Sequence, residues 1–256
     1  MGEMKLQHLV ITRLTIKLFY DEFSPEWLEE RLRLFRTYCV PSMADQTSEE
    51  YEWVILCDET TDPGFVKCVE ESRSLVPQLR VLYTSERGGG IPDVVSPTIK
   101  GDTELLVTTR LDGDDSLHAE TVAVVQAYAG AFARSSNRTW LLNFPYGYRY
   151  DEVDRRLYAV YWLYSPFSSL FEKLRVGKKF ENVYRNHHKL HLFNPAHFDL
   201  SLPAWMQVIH GHADRLSGTA VAGNRMSGIR STDKEVDPAE VGEVFGMNLA
   251  ETGSPS

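Results

Sequence analysis

The chain has 256 residues, a formal net charge of −9 and 25% charged residues. This length fits one large domain or two small ones, and it can bury a core that needs no disulfide or structural zinc. The acidic balance argues against a nucleic-acid partner, which would need a basic surface. It leaves room for a phosphate-bearing small molecule, because a bound metal ion would reverse the charge locally.

Cysteine content and the N-terminal residues bear on the cellular compartment. Cys39, Cys57 and Cys68 are odd in number and lack CxxC spacing, which is typical of reduced thiols. The first residues lead into a short strand pattern rather than an apolar signal segment, and no run reaches the length of a transmembrane helix. We therefore expect a cytoplasmic protein with no transmembrane segment.

Strand and helix patterns alternate over the first half of the chain. The predicted strands cover residues 8–12, 52–57, 79–83 and 105–111, and the predicted helices cover residues 25–40, 63–75 and 117–132. Ser24 and Pro25 provide the N-cap and the first residue of the first helix, and Pro41 is expected to end it. The alternation predicts an α/β fold with a parallel sheet that binds ligands at the carboxyl ends of its strands.

Charged side chains follow three of these predicted strands. Asp58 follows the second strand, Arg87 lies in a glycine-rich loop after the third, and Asp112 follows the fourth. Glycines let backbone N–H groups approach closely, so residues 85–90 either wrap a phosphate or form a plain turn.

The second half has a different pattern, rich in aromatic residues and in alternation. Antiparallel strands are predicted at residues 140–144 and 156–163 around a tyrosine-rich turn at 145–148, with a last strand at 205–209. Residues 166–172 are typical of a loop that enters a helix. The chain is polar from about Arg215, where we expect poor order apart from a short helix after Pro238.

Three aspartates are clustered directly after the fourth predicted strand. If this segment stays extended, the carboxylates of Asp112 and Asp114 share one side and can bind one divalent metal ion. Asp115 is expected to point elsewhere and to cap a helix that begins near Ser116. A solvated turn with an N-cap aspartate is the alternative, and the short motif leaves both open.

Histidines provide the second group of candidate ligands. His210 and His212 follow an apolar strand at a spacing of two, so both imidazoles can face one way as metal ligands or phosphate donors. The alternative is a pair of surface or core-edge histidines. With Asp112 and Asp114 they form an oxygen–nitrogen ligand set that suits Mn²⁺ or Mg²⁺. His188 lies in a further basic cluster, which is either a phosphate or proton-transfer site or a solvated face.

Taken together, these segments resemble the bacterial rhamnosyltransferase family of GT-A glycosyltransferases. The segments that carry the resemblance are residues 11–13, 53–58, 109–115, 165–167 and 205–211. The run around Arg110 is the most specific, and Gly113 stands where a more polar residue is expected. The resemblance implies a GT-A-like (Rossmann-like) mixed, mainly parallel sheet with flanking helices and a small antiparallel C-terminal part.

The same resemblance implies a domain organisation. A single catalytic domain would cover residues 1–215, with a nucleotide-binding half over about 1–135 and an acceptor half over about 136–215. A polar, poorly ordered tail would follow over residues 216–256.

In function, the resemblance implies an inverting, metal-dependent hexosyltransferase. It would move a sugar, rhamnose or another hexose, from a nucleoside-diphosphate donor to a carbohydrate or small-molecule acceptor. The residues implied to bind the donor are Arg13, Asp58, Arg87, Arg110 and Asp112. Those implied to bind Mn²⁺ or Mg²⁺ are Asp114 and His210, with Asp112 on either the ribose or the metal, and His212 is a further candidate metal ligand from its spacing alone. The metal would stabilise the departing nucleoside diphosphate.

An inverting enzyme also needs a group that removes the proton of the acceptor hydroxyl. Glu172, expected near the start of a helix, is the first candidate, and His188 is the second. Alternatively, Glu172 is only an exposed helix residue beside Lys173.

Two other classes of function stay open. One is a metal-dependent nucleotidyltransferase or phosphohydrolase that uses Asp112 and Asp114, although residues 14–19 lack the glycine-rich basic loop expected after the first strand. The other is a non-catalytic sugar-nucleotide-binding protein.

Overall fold

A computed structural model of the chain describes residues 4–17, 22–85, 90–175, 179–184, 187–210 and 233–249, with only the backbone at 187 and 188. The strands are β1 (Leu6–Thr15), β2 (Glu52–Asp58), β3 (Leu79–Thr84), β4 (Leu105–Arg110), β5 (Ser116–Leu117), β6 (Thr139–Asn143), β7 (Tyr146–Asp151), β8 (Arg156–Tyr161), β9 (Ser168–Lys173), β10 (Ala196–Phe198), β11 (Trp205–Ile209) and β12 (Lys234–Val236).

The helices are α1 (Pro25–Leu34), α2 (Val40–Ala44), α3 (Pro63–Glu70), α4 (Ile91–Val95), α5 (Thr121–Ala127), α6 (Ala129–Arg134), α7 (His187–Phe193) and α8 (Pro238–Val241). A π-helical turn at Phe35–Cys39 joins α1 to α2, and short 3₁₀ turns lie at Glu71–Ser74, Ser96–Thr98 and Gly242–Phe245.

The larger sheet has seven strands in the order β10-β6-β9-β4-β1-β2-β3. Strands β1 to β4 pair in parallel, whereas β9 runs antiparallel between β4 and β6. The predicted α/β class, with a mixed, mainly parallel sheet and flanking helices, is confirmed. Because β1, β2 and β4 end at one edge, the residues that follow them come together there.

Both faces of the parallel strands are buried. On β1, Val10 packs into a core with Phe35 and Phe65, while the alternating residue Ile11 packs on the other face with Ile91. Strands covered on both sides read as continuous apolar runs, which is why β2 and β4 were recognisable in the sequence.

The smaller sheet has the order β12-β8-β7-β11-β5, with antiparallel pairs except for the parallel pair of β7 and β11. The expected tyrosine-rich turn at residues 145–148 is wrong, because Tyr146–Asp151 forms β7. Tyr148 and Tyr150 alternate onto one face, where they pack with Phe245.

The first helix begins as predicted but continues further. Ser24 accepts a hydrogen bond from the backbone N–H of Trp27 at 3.2 Å and so caps α1. The prediction that Pro41 ends the helix is wrong, because the chain passes through the π-helical turn into α2. Pro41 lies in the first turn of α2, where a missing N–H costs no intrahelical hydrogen bond.

Two further helix predictions need correction. The helix predicted over residues 117–132 begins only at Thr121, because Ser116 and Leu117 pair with β11 as β5. The helix predicted around residue 172 is wrong, because Ser168–Lys173 forms β9 in the middle of the larger sheet. Leu170 and Phe171 pack on opposite faces of that sheet, as residues of a doubly covered strand do.

The expectation of a poorly ordered tail is wrong for residues 233–249. Strand β12 pairs with β8, and Val241, Phe245 and Leu249 are buried against the smaller sheet. The predicted short helix after Pro238 is confirmed, and Asp237 caps it by accepting from the N–H of Ala239. Residues 211–232 and 250–256 lie outside the described residues.

Within the described ranges, the helices are all too short or too polar to cross a lipid bilayer.

Candidate active site

The first carboxylate of the cluster, Asp112, is held by the arginine that ends β4. Arg110 Nη2 lies 2.5 Å from Asp112 Oδ2, and Arg110 Nε lies 3.3 Å from Oδ1, which is a two-point ion pair. Burial alone would raise the pKa of Asp112, but the charge and hydrogen bonds of Arg110 outweigh it and hold the pKa below its usual value. Asp112 is therefore an ionised carboxylate that already has a cation as partner.

The second carboxylate, Asp114, joins α1 to the end of β11. Its Oδ2 lies 2.9 Å from His210 Nε2 and 2.8 Å from Arg31 Nη1. Burial would raise the pKa of Asp114, but the charge of Arg31 and the hydrogen bond with His210 hold it well below its usual value. The structure thus brings Asp114 and His210 together, and it adds Arg31, a residue not selected from the sequence.

Asp115 does not cap a helix, so that expectation is wrong. Its Oδ1 accepts a hydrogen bond from the backbone N–H of Val208 at 2.9 Å, and the residue is only 5% exposed. Burial, and then the charges of Asp114 and Asp112, raise the pKa of Asp115 well above its usual value. Asp115 therefore favours the neutral form of its carboxyl group, and its hydrogen bond links the aspartate cluster to the backbone of β11.

A tyrosine far along the chain gathers two arginines at the same edge. Tyr184 directs its hydroxyl group to the carbonyl oxygen of Ile11 at 2.6 Å. The guanidinium carbons of Arg13 and Arg110 lie 4.4 Å and 5.4 Å from the centre of its ring. The buried Nε of Arg13 has no hydrogen-bond partner among the described residues. An anion at this edge would satisfy that N–H group.

Asp58 ends β2 beside a large cleft. Its Oδ1 accepts from the N–H and the hydroxyl of Thr60 at 2.9 Å and 2.6 Å, and Lys17 Nζ lies 3.4 Å from it. Lys17 and Thr60 also line a cleft of about 920 Å³, together with Phe23, Leu28 and Phe65. Pockets of this size hold ligands as large as a nucleotide.

Glu172, the first candidate for a catalytic base, lies on β9 at the end of the larger sheet where β4 starts, opposite the end that carries Asp112. It pairs with Leu106 near the start of β4, roughly 20 Å along the strand from Asp112. Its carboxylate binds Arg138 Nη2 at 2.6 Å and the N–H of Glu181 at 2.6 Å. Burial raises the pKa of Glu172, and Arg138 offsets part of this effect. These contacts indicate a structural role.

Three other candidates cannot be placed. Arg87 and His212 lie outside the described residues, as does the side chain of His188, whose backbone is part of α7.

A divalent metal ion was expected among Asp112, Asp114, His210 and His212. Within the described ranges, no three His, Cys, Asp or Glu side chains group as a metal site. Arg110 is bound to both oxygens of Asp112, and Arg31 lies against the oxygen of Asp114 that faces His210. The described residues therefore do not fit a metal site as arranged, because guanidinium groups stand on the donor oxygens.

The spacing of Arg31 along the predicted first helix indicates that it lies on the buried side. It lies three residues after Leu28 and four before Phe35, so the helical repeat places it on the buried side of α1. An arginine on a buried helix face needs an anionic partner.

Comparison with known proteins gives one match to a family. A family model described as "Putative rhamnosyl transferase" matches residues 16–221. No curated protein matches the chain significantly.

The chain is also similar to several solved structures at low sequence identity. The 1–349 segment of S. aureus TarS is 14% identical with a TM-score of 0.46, covering 79% of this chain and 60% of that segment. 4-Diphosphocytidyl-2C-methyl-D-erythritolsynthase from Anaerococcus prevotii is 11% identical with a TM-score of 0.39, covering 75% and 86%. HddC from Yersinia pseudotuberculosis is 12% identical with a TM-score of 0.39, covering 77% and 91%. The chain thus spans about 60% of the TarS segment.

Proposed function

The chain belongs to the rhamnosyl transferase family of glycosyltransferases, and from this premise we propose that it moves a sugar from a nucleoside-diphosphate donor to a carbohydrate or small-molecule acceptor. The donor sugar is rhamnose or another hexose. The observation that carries the proposal is the convergence of Arg13, Arg31 and Arg110 at the edge of the larger sheet where β1 and β4 end.

The charged groups at this edge support diphosphate binding. Arg31 and Arg110 lie against the ionised Asp114 and Asp112, and Arg13 adds a third guanidinium group beside Tyr184. This edge therefore offers guanidinium groups to an anion although the whole chain is acidic. Guanidinium groups bind phosphate oxygens through paired N–H donors, so a diphosphate complements this edge.

The nucleoside would occupy the neighbouring cleft. Asp58 Oδ2 makes no hydrogen bond within the described residues, so it is open to accept one from a base or ribose. Phe23 and Phe65 line the same cleft and offer apolar surface for a base.

In the inverting reaction that we propose, the acceptor hydroxyl oxygen attacks the anomeric carbon while the bond from that carbon to the diphosphate oxygen breaks. Negative charge then develops on the departing diphosphate, next to Arg13, Arg31 and Arg110. Fixed positive groups that face developing charge lower the barrier. The hydroxyl proton passes to a base, for which His188 is the remaining candidate named from the sequence.

A thermal-shift screen of nucleoside diphosphates and their sugars tests the proposal. We expect at least one nucleoside diphosphate to raise the melting temperature of the wild-type protein and to lose this effect in Arg13→Ala. Arg80→Ala is the matched control, because Arg80 lies half-exposed on β3. Stabilisation by none of these compounds would contradict the proposal.

Product analysis separates the remaining classes of function. A glycosyltransferase releases a nucleoside diphosphate from a nucleotide-sugar donor, whereas a nucleotidyltransferase releases pyrophosphate from a nucleoside triphosphate that reacts with a sugar phosphate. A protein that only binds sugar nucleotides would release neither. We expect the nucleoside diphosphate, and its release should depend on an added acceptor.

A further inference from the structure

We propose that Arg31 takes the place of the divalent cation at this site, so that the protein binds its nucleoside-diphosphate donor without a metal ion. The inference rests on the proposed function and extends it to the means by which the diphosphate is held. It concerns a residue on α1 that the sequence patterns did not select.

The position of Arg31 is the first argument. Its side chain is 16% exposed, its Nη1 lies 2.8 Å from Asp114 Oδ2, and its guanidinium carbon lies 5.3 Å from the centre of the Trp27 ring. A positive charge thus already stands against the carboxylate oxygen that faces His210. A metal ion bound between Asp114 and His210 would have to displace it.

An unused donor of Arg31 is the second argument. Its Nε is buried and makes no hydrogen bond with the described residues, while its Nη1 lies against Asp114 Oδ2. Buried N–H groups without acceptors are costly. Phosphate oxygens would satisfy them, which is the role that a metal ion has in other diphosphate sites.

Local charge is the third argument. Arg13 and Arg110 share the ring of Tyr184 at the same edge, and Arg110 already neutralises Asp112. A dication here would be repelled by three guanidinium groups in a partly buried place, where charges are poorly screened. A diphosphate anion is attracted by the same groups.

His210 and Asp114 then act as positioning residues. Their hydrogen bond of 2.9 Å fixes the carboxylate, and the carboxylate fixes the Arg31 guanidinium. Arginine suits this task because it is always charged and presents its donors in a rigid plane.

Calorimetric titration with the nucleoside diphosphate selected by the thermal-shift screen tests the inference. The affinity of the wild-type protein should be the same within about twofold in excess EDTA and in Mn²⁺. Arg31→Ala should bind at least about tenfold more weakly in EDTA, and Arg31→Lys should recover only part of the loss. Arg80→Ala should bind as the wild type does.

Arg31→Ala also allows a test in the opposite direction. Without the guanidinium, the Asp114 carboxylate can offer an oxygen to a metal ion, so Mn²⁺ should strengthen diphosphate binding in this variant alone. Circular dichroism and the melting temperature check that the variant is folded. Titration of Mn²⁺ alone, followed by electron paramagnetic resonance, should show free Mn²⁺ with the wild-type protein.

The outcomes separate this inference from the proposed function. Three results would each overturn the role of Arg31 and leave the glycosyltransferase proposal standing. The first is diphosphate binding by the wild type that requires Mn²⁺, and the second is wild-type diphosphate affinity in Arg31→Ala. The third is binding of Mn²⁺ by the wild-type protein that is lost in Asp114→Ala. Absence of nucleoside-diphosphate binding both in EDTA and in Mn²⁺ would overturn the proposed function.

Discussion

His210 Nε2 lies 2.9 Å from Asp114 Oδ2, although 96 residues separate the two in the sequence. The contact joins the end of β11 in the smaller sheet to the segment that follows β4 in the larger one. It therefore couples the relative placement of the two sheets to the position of the Arg31 guanidinium.

This coupling predicts that Asp114→Ala and His210→Ala each weaken nucleoside-diphosphate binding by about tenfold. Each substitution frees Arg31 from its fixed position, so the double variant should lose little more than either single one. Calorimetry on the four proteins measures the coupling. Fully additive losses, or single variants with unchanged affinity, would show that the two residues do not act through one another.

Glu172→Gln should leave donor affinity and turnover at the wild-type level. Glu172 lies on β9 beside the start of β4, far from Asp112, and it forms an ion pair with Arg138. Its substitution should therefore lower the stability of the protein and leave turnover unchanged. We expect about 1–3 kcal/mol of destabilisation, because a buried carboxylate pair is removed. Urea unfolding and a turnover assay measure the two effects, and loss of turnover in a folded variant would return the catalytic role to Glu172.

Gly147→Ala should destabilise the protein by about 3 kcal/mol. A Cβ atom at Gly147 would lie 2.2 Å from Cδ2 of the fully buried Trp205 ring, which cannot move aside. Gly101→Ala is the matched control, because nothing lies within 4 Å of the added atom, and it should change stability by about 0.5 kcal/mol or less. Equal stabilities of the two variants would show that the packing of β7 against Trp205 is not as described.

The stability of the protein should fall between pH 6.5 and pH 3 through the buried His8. Burial lowers the pKa of His8 from 6.5 to about 3, so in this window the unfolded chain binds a proton that the folded protein does not. The loss is about 1.4 kcal/mol per pH unit. Urea unfolding of His8→Gln across the window should show a slope smaller by this amount, and an unchanged slope would exclude His8 as its source.

The sequence predicts some of these features better than others, for physical reasons. Strands β2 and β11 were recognisable as apolar runs. Parallel-sheet geometry predicts the place of Asp58 after β2, whereas the selection of His210 rests on its spacing of two from His212. Tyr184 reaches the site through contacts of its hydroxyl group with the carbonyl oxygens of Ile11 and Leu111, which lie 173 and 73 residues away, and no local pattern encodes them.

Glu172 lies in an element whose type was predicted wrongly. A proline and serines before residue 172 are typical of a helix start, but burial of Leu170 and Phe171 on two faces selects a strand. Packing decided the type of element, and with it which edge of the sheet received the carboxylate. Spacing in the sequence also places Asp112 and Asp114 together, but it does not show Arg110 and Arg31, which lie against their carboxylates in the structure.

The most direct test of the central claim is calorimetric titration of the selected nucleoside diphosphate into wild-type protein and into the double variant Arg13→Ala/Arg31→Ala. The account predicts binding to the wild type and a loss of at least about a hundredfold in the double variant, with the corresponding nucleoside affected far less. Wild-type affinity in a folded double variant would contradict it, since the diphosphate would then lie somewhere other than the arginine-lined edge of β1 and β4.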